Sequence, residues 1–294
     1  MNRVNSSGKG SFDKAFQAFE ANKKYGRQHT KMTFVPESFQ YISDSIIFML
    51  ENNVEYIAAN CAYEPVYTPD DAKLLYSELK KVSDYMIKNK NKTPITILDD
   101  SIGNYISKED DRNYCGGTGE LLCFAPDGIA YPCIRFAPIS IGEEKASKMK
   151  IGDCNGIYLD QKSKDLGNYL NSITRTSQST EECINCPIAS GCGWCSGYNY
   201  EVTGDVNKRV TNICWAHRGR VLASCYFSNK KFLILGEGNP KKINIQEEIA
   251  LQILSSDEWE LLKSLEEQAF EKAKNYNKKL LTFKEKSAII FIES

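Results

Sequence analysis

Histidine is scarce in this sequence, with only His29 and His217 among 294 residues, and neither has a Ser or Cys partner that could be argued into a nucleophilic triad. Charge of one sign is also missing. The chain carries 37 Lys and Arg against 38 Asp and Glu, a net charge of −1, so it has no basic field for nucleic acid or an anionic membrane surface. No stretch approaches the roughly 20 apolar residues of a membrane span, and the opening MNRVNSSGKGSF has no apolar signal core. The expectation is a cytoplasmic protein with no nucleic-acid and no membrane partner. A phosphate loop is missing too. Around Gly8-Lys9-Gly10-Ser11, Arg3 stands where the motif needs its first glycine, and Gly10 stands where it needs Ser or Thr.

What the chain does have is enough apolar material for a folded core, at 41% hydrophobic and 11% aromatic residues, and eleven cysteines. Without a secretion signal, and at a size that needs no disulfide staples, cysteines in this number point to metal or cluster ligation. Their distribution is uneven: Cys61 alone lies in the first 100 residues, none lies beyond Cys225, and the others fall between them from Cys115 onward.

Residues 1 to 100 alternate helical and extended patterns. Phe12, Phe16 and Phe19 recur at helical spacing. Lys31 to Val35 reads as a strand, and Phe39, Ile42, Ile46, Met49 and Leu50 mark the buried face of a helix. Val54 to Ala59 is a second strand. Thr68-Pro69-Asp70-Asp71 supplies a cap, a first-turn proline and two acids ahead of a third helix through Leu74, Leu75, Leu79, Val82 and Met86. Pro94 to Leu98 reads as a third strand. Such alternation predicts parallel βαβ units. A full (β/α)8 barrel takes about 250 residues, so only the distal part of one fits before the cysteines begin. The polar stretch 101–114 predicts a boundary. Residues 115–226 are rich in Gly, Pro, Cys and Asn, as expected where metal bonds rather than a large core hold the loops. Beyond them, Ser255-x-x-Glu258 before Trp259, Leu261, Leu262 and Leu265 predicts a capped helix.

The downstream cysteines read Cys183-x2-Cys186-x5-Cys192-x2-Cys195-x18-Cys214. Alone, the two Cys-x2-Cys pairs suit a zinc site with four thiolates. Upstream, Cys115 and Cys123 precede a Pro126-Asp127-Gly128 turn that returns the chain to Cys133. Three upstream and five downstream thiolates divide into two four-thiolate sites with none left over. Cys61, Cys154 and Cys225 stand outside that division and read as free buried cysteines.

This series resembles the seven-cysteine SPASM domain at the C-terminus of radical S-adenosylmethionine (SAM) peptide maturases, which binds two auxiliary [4Fe-4S] clusters. The resemblance implies interleaved ligation, with Cys115, Cys123, Cys133 and Cys195 on one cluster and Cys183, Cys186, Cys192 and Cys214 on the other. One departure is visible: Cys192 and Cys195 enclose only Gly193 and Trp194, where many members have three residues. Tyr114 to Gly119, Tyr131 to Arg135, Cys186 to Glu201, Asn207-Lys208-Arg209 and Ile213 to His217 further resemble the subgroup that matures peptides with repeated Cys-x-x-x units. So do Gly8 to Phe12, Lys31-Met32-Thr33 and Asn60 to Glu64, the last three matching that subgroup's distal barrel. The resemblance covers about residues 1 to 228.

The expected architecture is therefore α/β: a distal half of a radical SAM barrel over 1–104, a loop-rich iron-sulfur SPASM domain over 105–228, and a C-terminal helical extension over 229–294. The Cys-x3-Cys-x2-Cys loop that binds the SAM cluster in such enzymes is not found in the sequence. SAM and a third cluster are accordingly expected only in a complete enzyme, and SAM cleavage is not expected from this chain by itself. The implied function is thioether formation in a ribosomally made, cysteine-containing peptide. The implied partners are the precursor peptide, and a missing N-terminal half or a reductant protein. Two other readings stay open, a non-enzymatic electron-transfer or scaffold protein and a zinc-stabilised interaction module. Arg135 and Arg209 are candidates for tuning cluster charge or contacting peptide, against plain surface solvation. His217, three residues after Cys214, is a candidate for a hydrogen bond near a cluster. Glu64 ends a strand, where barrel enzymes place active-site groups, although solvation or helix capping is the commoner fate.

Overall fold

The computed structural model describes residues 8–290. Its first part follows the alternation read from the sequence. In α1 (Phe12–Asn22) the helical spacing stacks Phe12 on Phe16 and Phe16 on Phe19, and the first two also meet Phe48. β1 (His29–Phe34) leads through a 3-10 turn at Pro36–Tyr41 into α2 (Ile42–Glu51), so the helix expected to include Phe39 begins as tighter turns. β2 (Tyr56–Cys61) and α3 (Pro69–Lys88) follow. The Thr68 hydroxyl accepts from Asp71 N at 3.2 Å while the Asp71 carboxylate accepts from Thr68 N at 2.8 Å, and Pro69 fills the first turn. This reciprocal cap fixes where α3 starts.

β1 and β2 pair in parallel from His29 opposite Tyr56 to Phe34 opposite Cys61. The expected third strand over Pro94–Leu98 shrinks to a single parallel bridge, Ile57 to Ile95, followed by a 3-10 turn at Thr96–Leu98. The reason is local. Thr96 Oγ1 accepts from Ala59 N at 2.9 Å and donates to Ala59 O at 2.8 Å, so one side chain satisfies both backbone groups that a third strand would have paired.

The cysteine-rich part is built on a small antiparallel sheet. β3 (Cys123–Phe124) and β4 (Ile129–Tyr131) form a hairpin. The Pro126-Asp127-Gly128 turn closes it, with Gly128 at φ 83° and its N–H bonded to Ala125 O at 2.9 Å. After short helices α4 (Pro138–Ile141) and α5 (Glu143–Ser147), β5 (Gly152–Asp153) and β6 (Gly156–Ile157) complete the order β3-β4-β5-β6. Next come α6 (Gln161–Ser172), α7 (Arg175–Gln178), α8 (Glu181–Ile184) and α9 (Ser196–Thr203). A small core of Tyr131, Phe136, Met149, Leu170 and Tyr200 lies beneath them. The polar 101–114 stretch is not loose. Arg175, fully buried, bonds Ser107 O at 3.1 Å and Asp110 O at 3.2 Å.

Residues 214–235 form one long helix, α10 (Cys214–Leu235), continuous through residue 228 and packed along α3. The approach is close enough that a Cβ on Gly219 would lie 2.7 Å from Ala72 O. Val221, Leu222 and Tyr226 of α10 join Ile46, Ile57, Leu75 and Leu79 in the larger core. The short α11 (Glu247–Ala250) and then α12 (Ser256–Ile290) complete it with Ile253, Trp259 and Leu262. Glu258 N donates to Ser255 Oγ at 3.2 Å, the backbone half of the predicted cap. Among the described residues no helix is long and apolar enough to cross a membrane.

Candidate metal centres

Cys183, Cys186, Cys192 and Cys214 come from α8, the loop after it and the first residue of α10, and they line one cavity of about 320 Å3. Burial pushes the Cys192 thiol up to about 11. The Arg209 charge opposes that rise, while Cys214, Cys186 and Cys183 add to it. The Cys214 thiol is raised likewise, by burial first and then by Cys183. The four sulfurs thus feel one another across a shared space.

Cys115, Cys133 and Cys195 form a second group. Burial pushes the Cys133 thiol up to about 11, with Cys195 and Cys115 adding to it. Burial also raises Cys195, where the Arg135 charge opposes and Cys115 adds. Gly117 is the cradle of this group: a Cβ there would sit 3.2 Å from Cys133 Sγ and 3.6 Å from Cys115 Sγ. Cys123, the remaining expected ligand, stands on β3 opposite Tyr131, with Sγ 3.9 Å from the Phe124 carbonyl. The hairpin brings it toward Cys133, and no direct contact joins it to the other three.

Among the described residues no set of three or more His, Cys, Asp or Glu converges closely enough to hold a single metal ion. Four thiolates on one zinc would need sulfurs about 3.8 Å apart, from Zn–S bonds of about 2.3 Å in a tetrahedron. Here Cys183, Cys186, Cys192 and Cys214 line a cavity together without closing on one point. The raised thiols of Cys133, Cys192, Cys195 and Cys214 are protonated in the metal-free chain, so metal uptake at them releases protons.

Of the three cysteines set aside, Cys61 and Cys225 are buried in the larger core, and burial raises their thiols to about 11 and about 12. Cys154 differs from expectation. It is exposed, because it sits in the turn between β5 and β6.

The charged candidates are engaged rather than merely solvated. Arg209 donates from Nη2 to Cys192 Sγ at 3.1 Å, and its guanidinium lies 4.7 Å from the centre of the Trp194 ring. Arg135 forms ion pairs with Glu64 at 3.0 Å and Glu201 at 2.8 Å, which ties the loop after β2 to α9. That loop is stitched further by Tyr198 Oη donating to Glu64 O at 2.8 Å, and by Asn212 Nδ2 donating to Tyr63 O and Pro65 O. His217 is buried, and desolvation pushes it down to about 3, so it is neutral. Its Nε2 lies 2.6 Å from Ile188 O.

Three residues not singled out from the sequence belong here. Arg218, over the Trp215 ring at 4.4 Å, lines the first cavity. Tyr63 lies over the Gly193 backbone, where a Cβ would be 2.7 Å from its hydroxyl. Burial raises its phenol, as do Cys195, Cys115 and Cys192, so Tyr63 sits between the two cysteine groups. Arg220 adds its positive charge to Cys61, Tyr63 and His217. Lone Tyr and Arg residues have no spacing signal, and only the Asn60 to Glu64 and Ile213 to His217 resemblances pointed near them.

The mixed helix and sheet architecture has a radical SAM-like structural neighbour. A solved structure described as hexahistidine-tagged anSMEcpe with bound AdoMet, an anaerobic sulfatase-maturating enzyme of radical SAM/SPASM type, superposes with a TM-score of 0.51 at 16% sequence identity. The match covers 86% of this chain and 64% of that one, so this chain spans less than two thirds of the neighbour's length. Comparison with family models and with curated proteins finds no match.

Proposed function

We propose that this chain is the C-terminal portion of a radical SAM/SPASM enzyme that forms a thioether in a ribosomally made, cysteine-containing peptide. Cys115, Cys123, Cys133 and Cys195 would hold one [4Fe-4S] cluster, and Cys183, Cys186, Cys192 and Cys214 the other. The observation that supports this reading most is the parting of Cys192 and Cys195. Only two residues separate them in sequence, yet Cys192 shares its cavity with Cys183, Cys186 and Cys214, while Cys195 feels Cys115. An interleaved pair of sites requires that parting, and a single zinc site made from the two Cys-x2-Cys pairs does not.

When bound, such clusters supply one-electron transfer. The chain's own residues set positive charge beside one group, from Arg209 and Arg218, while beside the other Arg135 is shared with Glu64 and Glu201. SAM, a third cluster and the precursor peptide belong to the complete enzyme, with the SAM-binding segment supplied from further sequence or a second chain. The function is tested by coexpressing this chain, a radical SAM segment and a Cys-rich precursor peptide. Loss of two hydrogens from the peptide, dependent on Cys186 and Cys133, supports the proposal. An unmodified peptide, with SAM turned over normally, supports the electron-carrier reading instead.

A further inference from the structure

We infer that Lys241, in the segment between α10 and α11, is a positioning residue for the loop that carries Cys186 and Cys192, and that it acts on that loop through residues 99–104. Lys241 is only 6% exposed. Its Nζ donates to Asp100 O and to Ser224 Oγ, both at 2.9 Å. Among the described residues no carboxylate forms an ion pair with it. A buried ammonium costs stability unless its donors are used, and a place that needed only volume would be filled by methionine. What the lysine adds is its donors. Its own backbone is fixed from α10: Lys241 N donates to Asn229 Oδ1 at 2.7 Å, and Lys241 O accepts from Asn229 Nδ2 at 2.9 Å, with Asn229 fully buried.

Residues 99–104 are gripped from two sides. On the side of Lys241, Ser224 Oγ donates to Asp99 O at 3.0 Å, Ser228 Oγ to Asp100 Oδ1 at 2.6 Å, and Asn244 Nδ2 to Gly103 O at 3.2 Å. On the other side stands Ser190, which lies between Cys186 and Cys192 in sequence. Its Oγ donates to Ser101 O at 2.6 Å and accepts from Asn104 N at 2.8 Å. Its backbone N donates to Asn104 O at 2.8 Å, and its carbonyl accepts from Gly103 N at 2.9 Å. Beside it Gly191, at φ 71°, crosses so near Ile102 that a Cβ would lie 2.4 Å from Cγ2. The hydroxyl, N–H and carbonyl of Ser190 are thus all engaged by 101–104, one residue on from the carbonyl that Lys241 holds. None of these bonds reaches Cys115, Cys123 or Cys133, so the C-terminal extension steadies one cysteine group and not the other. Calling 186–192 a ligand loop rests on the proposed function, whereas the mechanical link does not.

The test is iodoacetamide labelling of the full, metal-free chain, with the rate at each cysteine read by peptide mass spectrometry. In Lys241→Met, Cys186 and Cys192 should label about fivefold faster or more, the change in open population expected on losing a buried hydrogen bond, while Cys115 and Cys133 keep their rates. Ser190→Ala cuts the far end of the same link and should give the same pattern. The two substitutions together should accelerate labelling by less than the product of their separate effects, since they break one connection. Asn244→Ala, a milder cut at a half-buried residue, carries the test if Lys241→Met fails to fold. Equal acceleration at all four cysteines, which general loosening would give, unchanged rates at Cys186 and Cys192, or fully multiplicative effects in the double variant overturns the inference. Because the chain is labelled without metal, the result does not depend on whether the cysteines bind clusters.

Discussion

Arg209→Gln should lower the reduction potential of the centre held by Cys183, Cys186, Cys192 and Cys214 and leave the other centre unchanged. Arg209 reaches Cys192 Sγ at 3.1 Å and is held there by its stack on Trp194 and by a long bond from Nη1 to Ser179 Oγ at 3.4 Å. A hydrogen bond from a charged donor is worth about 1.5–3 kcal/mol, and it strengthens as the acceptor gains negative charge on reduction. At about 59 mV per factor of ten for one electron, that energy is roughly 65–130 mV, which is the ceiling on the shift because only the part of the bond gained on reduction moves the potential. Arg209→Lys keeps the charge without the planar fork and the full stack, so it should fall between. The assay is an anaerobic redox titration followed by electron paramagnetic resonance, with iron content measured first to confirm that both centres are loaded. An unchanged potential, or equal shifts in both centres, refutes the reasoning that Arg209 acts locally through Cys192.

The same structure carries further expectations. Cys186→Ala should lose about half the iron and make residues 115–226 more sensitive to protease, because ligation and folding are coupled in a core-poor unit. Cys225→Ala should keep full iron and cost about 1 kcal/mol of stability, the scale of a small buried side chain. Thr68→Ala should remove the cap of α3 and cost about 1 kcal/mol, read as a lower denaturation midpoint. Burial holds the Cys61 thiol at about 11 and the Cys225 thiol at about 12, against an ordinary 9.0. A raised folded value means stability that is complete below about pH 9 and is lost as pH climbs through the folded values. Chemical denaturation should therefore show an alkaline loss of about 2–3 kcal/mol for Cys61 alone, absent in Cys61→Ala.

Local signals were legible where one short segment decides the outcome. The cap at Thr68, the phenylalanines of α1 and the turn at Gly128 all appear where periodicity and turn chemistry place them. The third strand was not legible, because the hydroxyl of Thr96 displaces a backbone ladder and nothing in its sequence neighbourhood announces that. Nor was the union of α10 with α3, which rests on a close approach at Gly219 to a residue far away in sequence. Cysteine counting suggested two four-thiolate sites, but the division of Cys192 from Cys195 came from family resemblance. The roles of Arg135 and Glu64 needed the third dimension, since their ion pair joins residues 71 positions apart. His217 and Arg220 carried no pattern beyond a helical spacing.

The central claim is that eight of the eleven cysteines form two cluster-binding groups, and metal content after anaerobic reconstitution tests it most directly. The account predicts about eight iron and eight acid-labile sulfide per chain, falling by about half when either Cys133 or Cys186 is replaced by Ala. A colourless protein with one zinc per chain, lost on replacing Cys186 and retained on replacing Cys133, would contradict it.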